Sequence, residues 1–465
     1  MSINSAVDVA DVPANPTKPN HVLAIVCAGV VLANLDLFIV NVALPDIARD
    51  FGGATLDDLS WVLNGYAIVY ASLLVFLGRL AERYRRDRSF LLGVAIFTAA
   101  SAACSAAGDV WMLVAFRLLQ AAGAALMTPT SLGLLLATFP PDKRGGAVRT
   151  WTAIGGFASA LGPVVGGLLL ILSWRWIFIV NVPIGLAALV VGWRKLPDVA
   201  GHDIPRPDAW GAALVTAGVA LLTFGMVKAN EWGWLSAAVV TSLVGSALLL
   251  AIFVVHCLRA GNPLVEPALF RIRNFTGTSL VMAPFAIAFG AMLLSLVLWE
   301  QTVWGWSALK TGLAIAPGPF LVPVTSMLVA GRLIQRLGPR PVVVLGLAFF
   351  AAGCVWWALG VRLEPSLASA LGGIVLTGIG VGLTLPTLMG TAAASLPPSS
   401  FATGSGVVNM IRQTGFAIGV AALVALVGAA GTPIERLAAF KTAWWFMVAI
   451  TAVGVIPTFL IQRKR

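Results

Sequence analysis

Asp36 stands inside an otherwise apolar run, Val31-Leu32-Ala33-Asn34-Leu35-Asp36-Leu37-Phe38-Ile39-Val40. A charged side chain at the centre of a membrane helix costs about 2.5–3.5 kcal/mol even on lenient scales, so an acid kept there points to function. The chemistry it suits is the uptake and release of a proton. The competing reading is a carboxylate paired with a polar neighbour or wetted by a passive cavity. Arg117 and Gln120 lie three residues apart on a second apolar run, hence on one helix face. A guanidinium does not readily lose its charge, so Arg117 can hold a water chain or bias a nearby acid without carrying the proton. Its plainer role is that of a structural partner.

Other residue types suggest movement more than chemistry. Gly162-Pro163-Val164-Val165-Gly166-Gly167 places small residues four apart, which permits close helix approach, and its proline removes a backbone donor and bends the helix. Static packing would use the same spacing. Glu300, beside Gln301, falls at the end of an apolar segment and reads either as a functional acid or as a wetted interfacial residue. Arg412, between Asn409 and Gln413, suits snorkelling or a gate contact better than a substrate role. Asp46, Asp50, Asp57 and Asp58 make one loop acidic, most simply as a solvated surface. His21, His202 and His256 have no Ser or Cys partner in a nucleophile motif, so hydrolysis has no support. Cys27, Cys104, Cys257 and Cys354 lie singly on separate segments and indicate neither a disulfide framework nor a metal site.

The elements that must carry these residues are membrane helices. Of 465 residues, 59% are hydrophobic and 11% charged, and the mean hydropathy is +0.94. Soluble domains carry about 25% charge. At about 20 apolar residues per crossing, fourteen spans are predicted, the fifth near 150-172 and the ninth near 275-299. The fold class is therefore an all-α membrane protein. The first apolar segment is too long for a signal-peptide core and reads as a retained span. Gly78-Arg79-Leu80-Ala81-Glu82-Arg83 returns as Gly331-Arg332-Leu333-Ile334-Gln335-Arg336, each copy between two apolar stretches. The copies follow spans two and ten. Two six-helix halves with two extra helices between them produce that offset, which places a tail at 1-21, an N-terminal bundle at 22-193, the inserted pair at 209-257, a C-terminal bundle at 275-461 and a tail at 462-465. Duplicated halves are the architecture of secondary transporters, whose substrate site lies near the midplane between the repeats.

Orientation follows from the 30 Lys and Arg residues. Most fall on alternate loops, including Arg79, Arg83, Arg85, Arg86 and Arg88, whereas the opposite loops hold Arg49, Arg175, Lys228, Lys310, Arg362, Arg436 and Lys441. Basic loops stay cytoplasmic, so both termini are expected there. The net charge of +11 does not imply nucleic acid, because the basic residues are scattered and form no single stripe. Trp61, Trp111, Trp174, Trp176, Trp193, Trp232, Trp234, Trp299 and Trp304 sit near span ends, as an interfacial belt predicts.

On these residues the chain resembles the major facilitator superfamily, in its fourteen-span drug:proton antiporter branch. Leu35-Asp36 through Asn41-Val42-Ala43-Leu44-Pro45 is similar to the first-span signature, Gly78 to Arg88 to the loop 2-3 motif, Arg117-Leu118-Leu119-Gln120 to the fourth-span motif and Leu161 to Gly167 to the fifth-span antiporter motif. Trp174-Arg175-Trp176-Ile177-Phe178 and Asn181-Val182-Pro183-Ile184-Gly185 add a further match. Glu82 stands where the family has Asp, Arg85 where it has Gly, and Ala121 where it has Gly.

The resemblance implies the major facilitator fold and a rocker-switch mechanism. Asp36, Arg117 and Gln120 would serve proton coupling. Gly78, Glu82, Arg83, Gly162, Pro163, Gly166, Gly167, Gly331 and Arg336 would serve conformational change. Phe38, Asn41, Tyr66, Glu300, Asn409 and Arg412 are candidates for the substrate cavity or gate. The expected function is proton-coupled export of amphipathic or cationic drugs from a bacterial inner membrane by a monomer, with no enzymatic activity, metal or cofactor. A proton is the expected coupling ion, with sodium the alternative; the partners are a small-molecule substrate and the lipid bilayer. Competing functions are dedicated export of one endogenous metabolite such as an antibiotic, siderophore or lipid-like molecule, then symport, then a non-transporting membrane receptor.

Overall fold

Capping residues set where many of the helices begin. Thr55 and Asp58 form a capping box at one helix start, Thr432 and Glu435 at another, and Asp109, Asp208, Ser236, Ser307 and Ser366 each accept a hydrogen bond from a first-turn amide. Such caps satisfy amides that a helix start leaves without partners. The computed structural model describes residues 19-52, 54-201, 206-396, 401-428 and 431-462. The tails at 1-18 and 463-465 lie outside the described residues.

Seventeen α-helices are described, in order α1 (Pro19–Asp50), α2 (Leu56–Arg83), α3 (Arg86–Ser105), α4 (Val110–Thr138), α5 (Pro141–Leu169), α6 (Trp176–Ile179), α7 (Asn181–Lys195), α8 (Ala209–Trp232) and α9 (Ala237–Arg259). They continue as α10 (Arg273–Leu298), α11 (Ala308–Ile315), α12 (Pro317–Thr325), α13 (Gly331–Leu337), α14 (Pro339–Gly360), α15 (Leu367–Ala394), α16 (Phe401–Val427) and α17 (Pro433–Val453). The short α6 runs into α7 as one crossing, and α11 to α13 form another, broken at Pro317 and by a π turn at Ser326–Ala330. Among the described residues thirteen segments are long and apolar enough to cross a membrane, near the fourteen expected. The remaining position belongs to α5, whose apolar part Ile154–Leu169 is shorter.

Glycine governs how these helices meet. Gly93 of α3 and Gly123 of α4 face each other's backbone; a Cβ on Gly123 would stand 2.6 Å from the Phe97 nitrogen. Between the halves, α2 packs against α16, and α5 packs against α11 and α12. An eight-span offset carries α2 onto the α11–α13 crossing and α5 onto α16. These two interfaces are therefore images of each other under the duplication.

The inserted pair is bound on one side only. Helix α8 packs on α9, α2 and α16, while α9 presents mostly exposed apolar residues, the arrangement of a helix whose outer face meets lipid. Asp208 closes the base of the pair: its carboxylate accepts from the Leu264 amide at 3.0 Å and meets His256 Nε2 at 2.9 Å.

The tryptophans divide in a way that hydropathy does not foresee. Trp111, Trp176, Trp193, Trp232 and Trp234 are exposed as a belt requires, but Trp174, Trp299 and Trp304 are buried. Trp299 packs edge-on to Trp304, Phe440 and Trp444. The indole rings there fill a core between α10 and α17, because burying a large ring against other rings gains more than leaving it at the lipid boundary.

Replacing Gly123 by Val should lower the melting temperature of the purified protein by an amount equivalent to about 1–3 kcal/mol, the usual cost of overpacking. Gly156, around which a Cβ would meet nothing within 4 Å, should accept Ala with a change under about 1 kcal/mol, favourable by helix propensity. Equal losses in both variants would show that close helix approach is not what Gly123 provides.

Candidate functional site: a buried ion pair and its helices

Five helices of the first half bring polar atoms to Asp36. Asp36 on α1 and Arg117 on α4 are both fully buried, and the Arg117 guanidinium donates from Nη1 to Asp36 Oδ2. Gln120, one turn further along α4, donates to Asp36 Oδ1 at 2.9 Å and accepts from Arg117 Nη1 at 2.6 Å. Asn181, the first residue of α7, donates to the same Oδ1 at 3.2 Å. The second Gln120 amide hydrogen goes to Ser101 Oγ on α3 at 2.7 Å. From α2, the Val62 carbonyl accepts from Arg117 Nε at 3.3 Å and the Tyr66 ring lies 4.1 Å from the guanidinium carbon.

The sequence places these side chains through helix starts and spacing. Asp109 caps α4 by accepting from the Met112 amide at 2.8 Å, which fixes the level of Arg117 two turns on. Asn181 follows α6 directly, and Phe178 of that short helix lies 5.9 Å from the Arg117 guanidinium. An ion pair without water needs such satisfaction of its remaining donors and acceptors to offset desolvation. Among the described residues Arg117 Nη2 and Asn181 Oδ1 are left without partners.

Asp36, Arg117 and Gln120 thus meet as one unit. Tyr66, expected in the substrate cavity, belongs to this cluster as the face on which Arg117 rests. Asn181 and Ser101 were not among the expected residues. Asn181 stood in a recognised string of residues, but its polarity inside an apolar stretch was the signal that could have marked it.

The fifth-span motif lies between this cluster and the second half. A Cβ on Gly162 would stand 2.7 Å from Phe38 Cβ, and one on Gly166 would stand 3.0 Å from the Ile39 side chain. Both are on α1, two and three residues from Asp36. The other edge of α5 faces α11: Gly312 abuts the Pro163 carbonyl and Gly167 abuts Leu309, at 2.3 and 2.8 Å for the added Cβ. Bulkier residues would force α1, α5 and α11 apart.

The loop 2-3 motif is held from outside its own helices. Gly78 lies against Pro129 of α4. Arg79 donates to Asn262 Oδ1 at 2.5 Å and to the Pro263 carbonyl at 3.0 Å, both in the segment after the inserted pair. Arg85 is paired with Asp87 and Asp198, which raise the affinity of its guanidinium for its proton. The Glu82 side chain lies outside the described residues, and Arg83 is half-buried at the end of α2. The second copy differs. Gly331 has open space where a Cβ would go, and Arg336 is exposed. Gly338, at the position matching Arg85, adopts φ +84°, whereas Arg85 turns the chain at φ −82°. The first copy therefore makes its turn without the left-handed backbone that favours glycine.

The remaining cavity candidates scatter. Phe38 meets Phe289 of α10 across the two halves, ring centroids 6.5 Å apart. Asn41 is buried, and its amide folds back to the Leu37 carbonyl at 2.9 Å. Glu300 is not a wetted boundary residue: it is fully buried in a π turn, Trp299–Val303. The turn carries it inward, toward Thr311 and Lys310 of α11, instead of outward to water. Asn409 and Arg412 are half-buried on α16.

Comparison with known proteins converges on one family. A model described as Major Facilitator Superfamily matches residues 26-297 and 278-465. The chain is 33% identical over 427 residues to the tetracenomycin C resistance and export protein of Streptomyces glaucescens, covering 89% of this chain and 77% of that one. It is 34% identical over 447 residues to the cephamycin export protein CmcT of Amycolatopsis lactamdurans, covering 94% and 92%. It is 33% identical over 403 residues to the multidrug resistance protein Stp of Mycobacterium tuberculosis, covering 86% and 74%. Among solved structures, the peptide transporter POT in complex with sulfate superposes with a TM-score of 0.69 at 18% identity, over 94% of this chain and 93% of that one; this shows a shared fold.

Arg117→Leu should destabilise the protein by about 3–5 kcal/mol, because it strands the Asp36 charge. Adding Asp36→Leu should recover part of that loss. Thermal unfolding of the two variants in one detergent measures it, and a double variant no more stable than the single one would deny the pair its structural role.

Proposed function

The chain belongs to the major facilitator superfamily, and on that premise we propose that it exports amphipathic or cationic toxic compounds by proton-coupled antiport. It is a membrane transporter and not an enzyme. The observation that carries the reading is the position of Asp36: a buried carboxylate in the ion pair with Arg117, two residues from the contact of α1 with α5. Protonation of Asp36 removes its charge and with it most of the attraction to Arg117. Helix α1 is then free to shift. Since Phe38 and Ile39 lie against Gly162 and Gly166, and α5 lies against α11, the shift passes to the contact between the halves. Deprotonation on the other side of the membrane restores the pair.

In this reading the end that carries Arg79, Arg85 and Arg86 is cytoplasmic, both termini lie on that side of a bacterial inner membrane, and the protein acts as a monomer. At the opposite end Asp50 accepts from Trp174 Nε1 at 2.8 Å and from Arg175 at 2.7 Å, and Gln301 reaches the Val42 carbonyl at 3.1 Å. The contact from Gln301, which crosses between the halves, supports a conformation closed on the outer side. The relatives named for export of tetracenomycin C and of cephamycin favour, as a second reading, dedicated export of one endogenous product.

Asp36→Asn should abolish substrate movement driven by a pH gradient in everted vesicles while the protein remains folded, and Asp36→Glu should keep part of it. Gradient-driven transport at the native rate in the asparagine variant would sink the coupling assignment. Gly162→Leu with Gly166→Leu should reduce turnover at least tenfold and leave substrate binding closer to native, since bulk there blocks the helix approach and not the cavity. Parallel loss of both would indicate misfolding.

A further inference from the structure

Both linkers of the inserted pair close on the same short stretch of chain. Ahead of α8, the Val199 carbonyl accepts from the Arg86 amide at 3.3 Å, and the Val199 amide donates to Asp87 Oδ1 at 3.2 Å. A Cβ on Gly201 would stand 2.2 Å from the carbonyl oxygens of Arg83 and Tyr84, so this linker lies backbone to backbone on the turn between α2 and α3. After α9, Asn262 and Pro263 receive the Arg79 guanidinium. Asn262 is itself held, donating from Nδ2 to the Arg206 carbonyl at 2.8 Å. Beside it the Leu264 amide is tied to Asp208, whose carboxylate also caps α8 and meets His256. The two linkers are thus joined to each other at the base of the pair, and together they bind loop 2-3 from residue 79 to residue 87.

The pair also holds α2 at its far end. Lys228, in the last turns of α8, lies 3.9 Å from Asp57, and Phe224 packs on Trp61 with ring centroids 6.3 Å apart. Asp57 and Arg79 are separated by about 33 Å of helix at 1.5 Å per residue, comparable to a hydrocarbon layer about 30 Å thick. A helix fastened to its neighbour at both ends cannot tilt away from it. The second G-R-L copy stands in different surroundings. Arg332, at the place of Arg79, is exposed, as is Arg336, and the turn is made by Gly338 at φ +84°.

We propose that the inserted pair immobilises the first copy, with Asn262 and Gly201 as the residues that position loop 2-3, so that the rearrangement of alternating access falls on the second copy at 331-338. This rests on the transport reading above and gives the two added helices a task within it. Duplication by itself would leave the two copies equally free. An attachment that reaches one of them makes them unequal, because each opening of loop 2-3 must break the bonds of both linkers, and local opening is governed by what has to be broken.

Hydrogen–deuterium exchange read by mass spectrometry on the purified full chain in detergent tests this. It needs neither substrate nor gradient, so the result stands apart from proton coupling. In the native protein the amides of 80-89 should exchange more slowly than those of 333-342, by about tenfold or more. Asn262→Leu should speed exchange at 80-89 by about tenfold or more, the worth of a hydrogen bond to a charged group, and leave 333-342 unchanged. Asn262→Asp keeps an acceptor for Arg79 and should stay within about threefold of the native rate. Gly201→Val, which pushes the first linker off the Arg83 carbonyl without removing a side-chain bond, should speed 80-89 as well; it covers the case of a leucine variant that fails to fold. The proposal is overturned by equal exchange of the two copies in the native protein, or by native exchange at 80-89 in either folded variant. Loss of protection in the aspartate variant as large as in the leucine variant, or an equal rise at 333-342, would also overturn it.

Discussion

A carboxylate and a guanidinium shut away from water hold the first half together. Asp36 and Arg117 are fully buried, and in a medium that does not solvate charge each is tolerable only beside the other. That constraint recruits the rest. Gln120 and Asn181 must spend their amides on Asp36, Ser101 must accept from Gln120, and Tyr66 must offer its ring to Arg117. Helices α1, α2, α3, α4 and α7 are thereby fixed in rotation and depth relative to one another. The same pair is the natural place for control, since a single proton cancels the charge that justifies the arrangement.

In the proposed antiport, the closeness of three helices would convert a local change of charge into a change of shape. On α5, one edge carries Gly162 and Gly166 against α1, and the other carries Pro163 and Gly167 against α11. With hydrogen atoms in place of side chains, backbones touch and a shift of one cannot be absorbed by a flexible side chain between them. The proline adds a bend at that level. Coupling from Asp36 to the other half therefore needs a chain of only a few contacts.

Duplication built the scaffold, but the two copies have separated in detail. The first G-R-L copy is clamped by residues from the segment after the inserted pair and from the segment after α7, through Arg79 to Asn262 and Arg85 to Asp198. The second copy makes its turn with Gly338 in the left-handed region and leaves Arg336 exposed. An arginine at the first turn exchanges backbone freedom for two charged partners, which ties the loop to its neighbours. The inserted α8 lies across α2 and α16, along the line where the halves meet.

Hydropathy alone located the crossings, since long apolar runs have only one stable solvent; polar exceptions inside those runs singled out Asp36, Arg117 and Gln120, and the glycine string announced a close packing face. The family resemblance rested on the same residues. Pairing was not legible. That Asn181 serves Asp36, that Tyr66 lies against Arg117, and that Glu300 is turned inward depend on how each helix is rotated and how deep it sits. Trp174, Trp299 and Trp304 read as membrane anchors because span ends usually are boundaries, yet neighbouring helices cover them. A one-dimensional pattern records how much each residue avoids water; which residue it meets is decided only when all the helices compete for the same interior, and that competition is tertiary.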